Sequence, residues 1–331
     1  NITVEGVTTT IFDVTLNATN SAGRSVTFNT GTSNFQGLTV NASNGILLSA
    51  GVTTQGITSF NSDTDAETNI GGDFTLAASQ VLNTTNNTLS ITANDLALGG
   101  GSSISSGTAG TTLLAAKSGR TIGLESGAGD FAISNIELGL ITAASLTIGN
   151  SSNGTITVGG VTSLTTPLTL NATSTGSAVN FATAASTGLG SLTINAGTGG
   201  VDFGVDVATT GSLTVNSDAA IAGAGILAVT GTASFNTTGT SNATVVSNSA
   251  LTLGTSTVGG DLSVTVGGTS SLNVNGAIQV GGNTTLRAND DIIFAAAGDI
   301  TTTTSGNIIV TADNDSDNNG SGGAITMDAG T

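Results

Sequence analysis

The sequence contains no histidine, cysteine, tryptophan or tyrosine, a single proline and only 4 lysines and arginines together. Each shortage removes a class of function. Without histidine there is no side chain whose ordinary pKa suits a general base at neutral pH. Without tryptophan and tyrosine there are no aromatic platforms of the kind that polysaccharide-cleaving enzymes lay under a sugar, and the carboxylates are too sparse to form the paired acid and base of a glycosidase. The four cations, Arg24, Lys117, Arg120 and Arg287, are scattered, so no basic stripe exists for nucleic acid or for anionic lipid. Against 21 acidic residues they leave a net charge of −17, which keeps a long polymer soluble and offers sites to divalent cations. The missing cysteine fits a chain that crosses a membrane unfolded, without disulfides forming on the way. It fits equally well a bacterial repeat protein in which cysteine is simply rare.

Long apolar runs are also missing. No stretch of about 18 apolar residues spans a bilayer as a helix, and direct membrane insertion is not expected. The chain starts at Asn1 and stops at Thr331 in what reads as an unfinished repeat. Both ends are therefore expected to be internal cuts, with export signals and anchors elsewhere. Charged residues make up 8% of the chain, far below the roughly 25% of an ordinary soluble domain. The 37% hydrophobic content excludes a disordered polar chain.

What is present is repetition. A unit with apolar residues at its first and third positions recurs from end to end. Val14-Thr15-Leu16-Asn17-Ala18, Val26-Thr27-Phe28 and Leu38-Thr39-Val40-Asn41-Ala42 begin the series. Leu168-Thr169-Leu170-Asn171-Ala172, Leu192-Thr193-Ile194-Asn195-Ala196 and Leu213-Thr214-Val215-Asn216-Ser217 continue it, and Ile308-Ile309-Val310 and Ile325-Thr326-Met327 close it. Alternation with period two means strands with one buried face. Glycine-rich corners such as Ala196 to Gly200 separate them. Apolar spacing of three and four is absent, so no helix is expected.

Self-similarity without a natural break selects stacking of successive units over an antiparallel sandwich. The expected fold is all-β, a parallel β-helix or β-solenoid of about 13–16 turns, running as one continuous segment over residues 1–331. At about 4.8 Å per turn it would extend roughly 65 to 75 Å. Five phenylalanines, Phe28, Phe181, Phe203, Phe235 and Phe294, fall at inward third positions and are expected to stack along the axis. The asparagines at Asn17, Asn41, Asn171 and Asn195 are expected at the turns, bonding to one another and to corner backbone.

Residues Ile136 to Gly149, followed by Gly154-Thr155-Ile156-Thr157-Val158-Gly159-Gly160-Val161, resemble a repeat of filamentous-haemagglutinin-type proteins. Asn289 to Phe294, Gly298-Asp299-Ile300-Thr301 and Gly306 to Asp315 are similar to repeats of the same giant bacterial surface proteins. The resemblance implies a right-handed parallel β-helix, exported across the outer membrane and placed at the bacterial cell surface as a stalk, adhesin or filament. That family's secretion domain carries Asn-Pro-Asn motifs. Here the sole proline, Pro167, follows Thr166, so that domain is not in this segment.

Few residues suggest chemistry. Asp313, Asp315 and Asp317 place carboxylates at alternating positions in a Gly-flanked loop, a spacing that suits Ca²⁺. The loop is no EF-hand, since Asn318 and Ala324 stand where glycine and a bidentate glutamate belong. Asn61-Ser62-Asp63-Thr64-Asp65-Ala66-Glu67 is a second candidate of the same kind. Asn-x-Ser/Thr sequons occur at Asn17, Asn41, Asn83, Asn171, Asn236, Asn242 and Asn283, and are candidate glycosylation sites. Lys117 and Arg120 approach Glu125 as a lyase cluster would, but read more simply as a surface pair. No glycine-rich stretch is followed by Gly-Lys-Ser/Thr, which argues against a phosphate loop. The runs Thr8 to Thr10 and Thr301 to Thr304 raise a flat threonine face, and irregular spacing argues against it. The expected function is structural and not enzymatic, with end-to-end self-association or packing against further repeats. The alternative is an adhesin module whose loops bind a glycan or protein receptor.

Overall fold

An apolar-polar-apolar triplet hides two side chains only when something covers one face of its strand. Here the other strands of the same turn cover the inward face, as Phe74 does for Phe60, while the strands one turn before and after close the edges. The structure, a computed structural model, describes residues 1–8, 12–66, 71–315 and 322–329. Among them are 40 short strands and one helix. The chain divides into two compact units, Asn1–Ile156 with Thr166–Asn171, and Thr157–Thr165 with Ala172–Thr331. Each is built of parallel strands stacked as a β-solenoid, and together they hold about 14 turns.

In the first unit the turns contribute strands to three stacks. The first stack runs through Val14–Ala18, Leu38–Ala42, Thr58–Asn61, Leu89–Ala93, Gly110–Ala115 and Ser145–Asn150, every pair parallel. The second holds Ile2–Val4, Val26–Phe28, Ile46–Leu48, Phe74–Leu76 and Leu96–Leu98. The third holds Ser33–Phe35, Val52–Thr54, Val81–Asn83, Ser103–Ser105 and Ile141–Thr142. First and third positions point inward and are closed off: Val40, Phe60, Ile91 and Leu113 are each 0% exposed. Buried hydroxyls line the corners, where they donate to corner carbonyls. Thr54 and Thr58 lie 2.6 Å apart at the Gly56 carbonyl, and Ser106 and Thr111 lie 2.9 Å apart beside that of Ala109.

The second unit repeats the plan and then shifts it. Leu192–Ala196, Leu213–Ser217 and Thr232–Thr237 are long strands of one stack, beside the short strand Ile221–Ala222 of the next. After Thr237 the long strands change stack. Ala243–Ser247, Leu262–Val266 and Thr284–Ala288 pile onto Ile221–Ala222. The first stack continues with three-residue strands, as Thr232–Thr237 divides its pairing between Leu251–Leu253 and Ser256–Val258. A corner has moved along the chain while the stack itself persists.

Three expectations change. A helix does form, Asn135–Gly139, because Ser134 and Glu137 close a capping box that offsets the poor local propensity. The aromatic stack is realised at one step only, Phe181 on Phe203 with ring centres 5.3 Å apart. Phe235 stacks on Val215 and Phe294 sits between Val274 and Met327, since aliphatic side chains fill the neighbouring inward positions. Asn17, Asn41, Asn171 and Asn195 are not at turns either. The strands run on through them to a fifth, buried small residue such as Ala42 or Ala172.

The insertion that carries the helix depends on glycine. Strands Ile122–Glu125 and Phe131–Ile133 lie parallel although joined by a very short link, and the N–H groups of Asp130 and Phe131 both donate to the Thr121 carbonyl. A Cβ on Gly129 would lie 2.0 Å from the Gly123 nitrogen. Gly129→Ala should cost about 1–3 kcal/mol by overpacking, seen as a lower denaturation midpoint at constant m-value. Gly139→Ala, with nothing within 4 Å of the added carbon, should show no such loss.

Candidate functional site

Outward second positions of stacked strands fall into rows. In the first unit Thr15, Thr39, Ser59, Ser90, Thr112 and Thr147 align on six successive turns. The step from Ser59 to Ser90 is half as long again as that from Thr39 to Ser59, yet the register holds. Irregular spacing therefore does not break a hydroxyl row. It is a single row and not a face of threonine pairs, since the partner positions are Asn17, Asn41, Asn61, Thr92, Leu114 and Gly149. Thr301 and Thr302 are strand residues of the second unit, and Thr9 and Thr10 lie outside the described residues.

The asparagines beside these hydroxyls bond along the stack. Asn41 Nδ2 donates to Asn17 Oδ1 at 2.8 Å. In the second unit Asn236 Nδ2 donates to Asn216 Oδ1 at 3.0 Å, and Asn216 Nδ2 to Asn195 Oδ1 at 2.8 Å. The ladder ends where the corner moves, with the Thr257 N–H donating to Asn236 Oδ1. A sugar on Asn41 or Asn236 would substitute the nitrogen that makes the rung. Asn17 is exposed and enters the ladder through its oxygen. Asn171 is half-buried in Leu168–Ala172.

A second ladder, which sequence reasoning missed, lines a groove of about 440 Å³ in the second unit. At the starts of four stacked strands, Asn242 Oδ1 accepts from the Asp261 N–H, Asp261 Oδ1 from the Asn283 N–H and Asn283 Oδ1 from the Asn307 N–H, at 2.7, 2.6 and 3.0 Å. Thr244, Ser263 and Thr285 line the floor in register. The visible signal was an Asn or Asp one residue before each long strand, and Asn242 and Asn283 were noticed only as sequons. The groove offers amides, hydroxyls and one carboxylate. That set suits hydrogen bonding to a polar ligand and contains neither a nucleophile with its base nor an acid-base pair.

The acidic loops behave differently from one another. Asp313 and Asp315 are exposed, Asp313 in a left-handed conformation with φ 52°, and Asp317 lies outside the described residues. Among the described residues no group of three or more His, Cys, Asp or Glu side chains is placed to hold a metal. Glu67 of the other loop is also outside them, whereas Asp63 is only 5% exposed. Burial first, then a hydrogen bond and repulsion from Asp65, push the Asp63 carboxyl up to about 6. Near Lys117 and Arg120, Glu125 accepts the Asn135 N–H at 2.6 Å and Arg120 Nη2 donates to the Asp130 carbonyl.

Two stretches, residues 189–242 and 240–305, match a family described as repeats of unknown function (DUF5649). Their boundary falls in the corner between Thr232–Thr237 and Ala243–Ser247, where the long strand changes stack. These repeats are thus similar in sequence and differ in which face carries the long strand. No curated protein and no solved structure matches the chain.

Because the folded Asp63 value lies above the ordinary 3.8, its contribution to stability is complete below about pH 4 and is lost as pH rises through about 6. Asp63→Asn should therefore melt higher than wild type at pH 7 and nearly together with it at pH 4. Parallel melting curves across that window would show that Asp63 and Asp65 share no proton.

Proposed function

We propose that the chain is a structural part of an extracellular bacterial filament or stalk, in which stacked turns transmit length and stiffness and no reaction is catalysed. The observation that carries this reading is the in-register stacking itself. Nearly every apolar side chain is spent on joining one turn to the next, and the outward positions are mainly hydroxyls and amides. A solenoid of this kind has cohesion only between neighbours, so it gains from additional turns. In the second unit the inward Ile308, Ile325 and Met327 remain 46–63% exposed on the last described strands, as a turn does before another covers it. A further turn, from a second copy or from additional repeats of the same protein, fits that surface and would leave no open sheet edge.

The groove over Thr244, Ser263 and Thr285 favours a second role, as an adhesin module for a polar glycan or protein receptor. Its donors and acceptors recur once per turn along the stack, so a chain-like ligand would meet the same groups repeatedly. The two roles are compatible, because a stalk displays whatever its faces bind.

Electron micrographs and fibre diffraction of the native material test the structural role. Continuous fibres with a reflection at about 4.8 Å along the fibre axis are expected. Isolated globular particles without that repeat would overturn it.

A further inference from the structure

The second stack of the first unit is interrupted at one place, and carboxylates bridge the gap. Its strands follow one another by main-chain ladders from Ile2–Val4 to Leu96–Leu98, where the order ends. The strand of the insertion that lies against Leu96–Leu98, Phe131–Ile133, is laddered instead to Ile122–Glu125. Two side chains reach across in opposite directions. Asp95, just before Leu96–Leu98, accepts the Ala132 N–H at 3.0 Å through Oδ1. Glu137, in the helix after Phe131–Ile133, accepts the Leu98 N–H at 3.3 Å through Oε1. Its other oxygen is held by the Ser134 N–H and hydroxyl at 3.0 and 2.9 Å.

We propose that this junction is a pH-sensitive seam, closed in acid and loosened towards neutral pH, along which the insertion can part from the stacked turns. The reason is the sign of every charge at the gap. Asp95 faces Asp73, on the approach to Phe74–Leu76, and Glu137 on the helix, and both are acidic. The nearby link brings Arg120 and Asp130, but Arg120 Nη2 is engaged by the Asp130 carbonyl and the Asp130 carboxylate by the Thr121 hydroxyl. Asp73 Oδ1 accepts from Asn94 Nδ2 at 3.2 Å, which leaves its charge in place. Burial raises the Asp95 pKa; the Ala132 and Leu96 N–H groups lower it, and Asp73 and Glu137 raise it further, for a net upward shift.

Protonating Asp95 removes one of three mutually repelling charges and costs no bond, because the carbonyl oxygen of a carboxylic acid still accepts the Ala132 N–H. The shift is upward, so its stabilisation is present below the ordinary aspartate range and fades as pH rises through the raised value. A main-chain ladder would carry no such dependence. The main-chain bonds of a regular turn are replaced here by two bonds to carboxylates, and the charge on Asp95 makes the junction depend on pH.

Hydrogen exchange of the Leu98 and Ala132 amides reads the seam directly, with Leu213–Ser217 as an internal reference and intrinsic rates corrected for pH. Relative to that reference, protection of both amides should rise about twofold or more between about pH 7.5 and pH 3.5, as local opening becomes rarer. Asp95→Asn, which keeps an acceptor and loses the charge, should hold the higher protection at both pH values. Glu137→Gln should weaken the dependence without abolishing it. Equal relative protection of the wild type at the two pH values, or an unchanged pH dependence in Asp95→Asn, would overturn the proposal.

Discussion

Each turn of this protein is too thin to bury its own apolar side chains, and everything else in the structure follows from that constraint. A turn presents one ring of inward residues, and its sheet edges open above and below. Only another turn in the same register closes both needs at once, by placing Leu38 over Val14 and Thr58 over Leu38 while the backbone groups pair. Register is thus fixed by burial, because a slip of one residue would turn every inward side chain out. The loops bear no such restraint, which is why they vary in length and the rows do not.

The same constraint explains which parts were legible in the sequence. Strand units such as Leu213-Thr214-Val215-Asn216-Ser217 were visible because period two is imposed wherever one face is buried. Helix Asn135–Gly139 was spelled out by Ser134 and Glu137, but four residues of capping signal are easily lost in a chain of strands. Thr58, Thr111 and Thr284 hold inward positions although polar, and nothing local distinguishes them from outward threonines. The groove was hidden for another reason. Asn242, Asp261, Asn283 and Asn307 come together only through stacking, and their spacing in sequence is unequal.

Charge is handled at the margins. With a net −17 and outward faces that are mainly hydroxyls and amides, several carboxylates lie at corners and in insertions, where they cap backbone N–H groups of a neighbouring turn. Asp261 does this at the groove and Asp95 and Glu137 do it at the insertion. A charged acceptor makes a stronger bond than a neutral one, but several together repel, and the buried ones are pushed towards the neutral form. Around Asp63 and Asp95, whose carboxyls burial pushes up, the structure is consequently expected to be firmer in acid than at neutral pH, with the regular stacks least affected.

Register is what the whole account rests on, and the absence of native cysteine makes it directly measurable. Spin labels placed by cysteine substitution at Thr214 and Ser234, which are one rung apart, should lie about 5 Å apart at the backbone and give strong dipolar broadening. Labels at Thr193 and Ser234, two rungs apart, should give distinctly less. Equal broadening in the two pairs, or the reverse order, would contradict the stacked register and with it the rows, ladders and groove built on it.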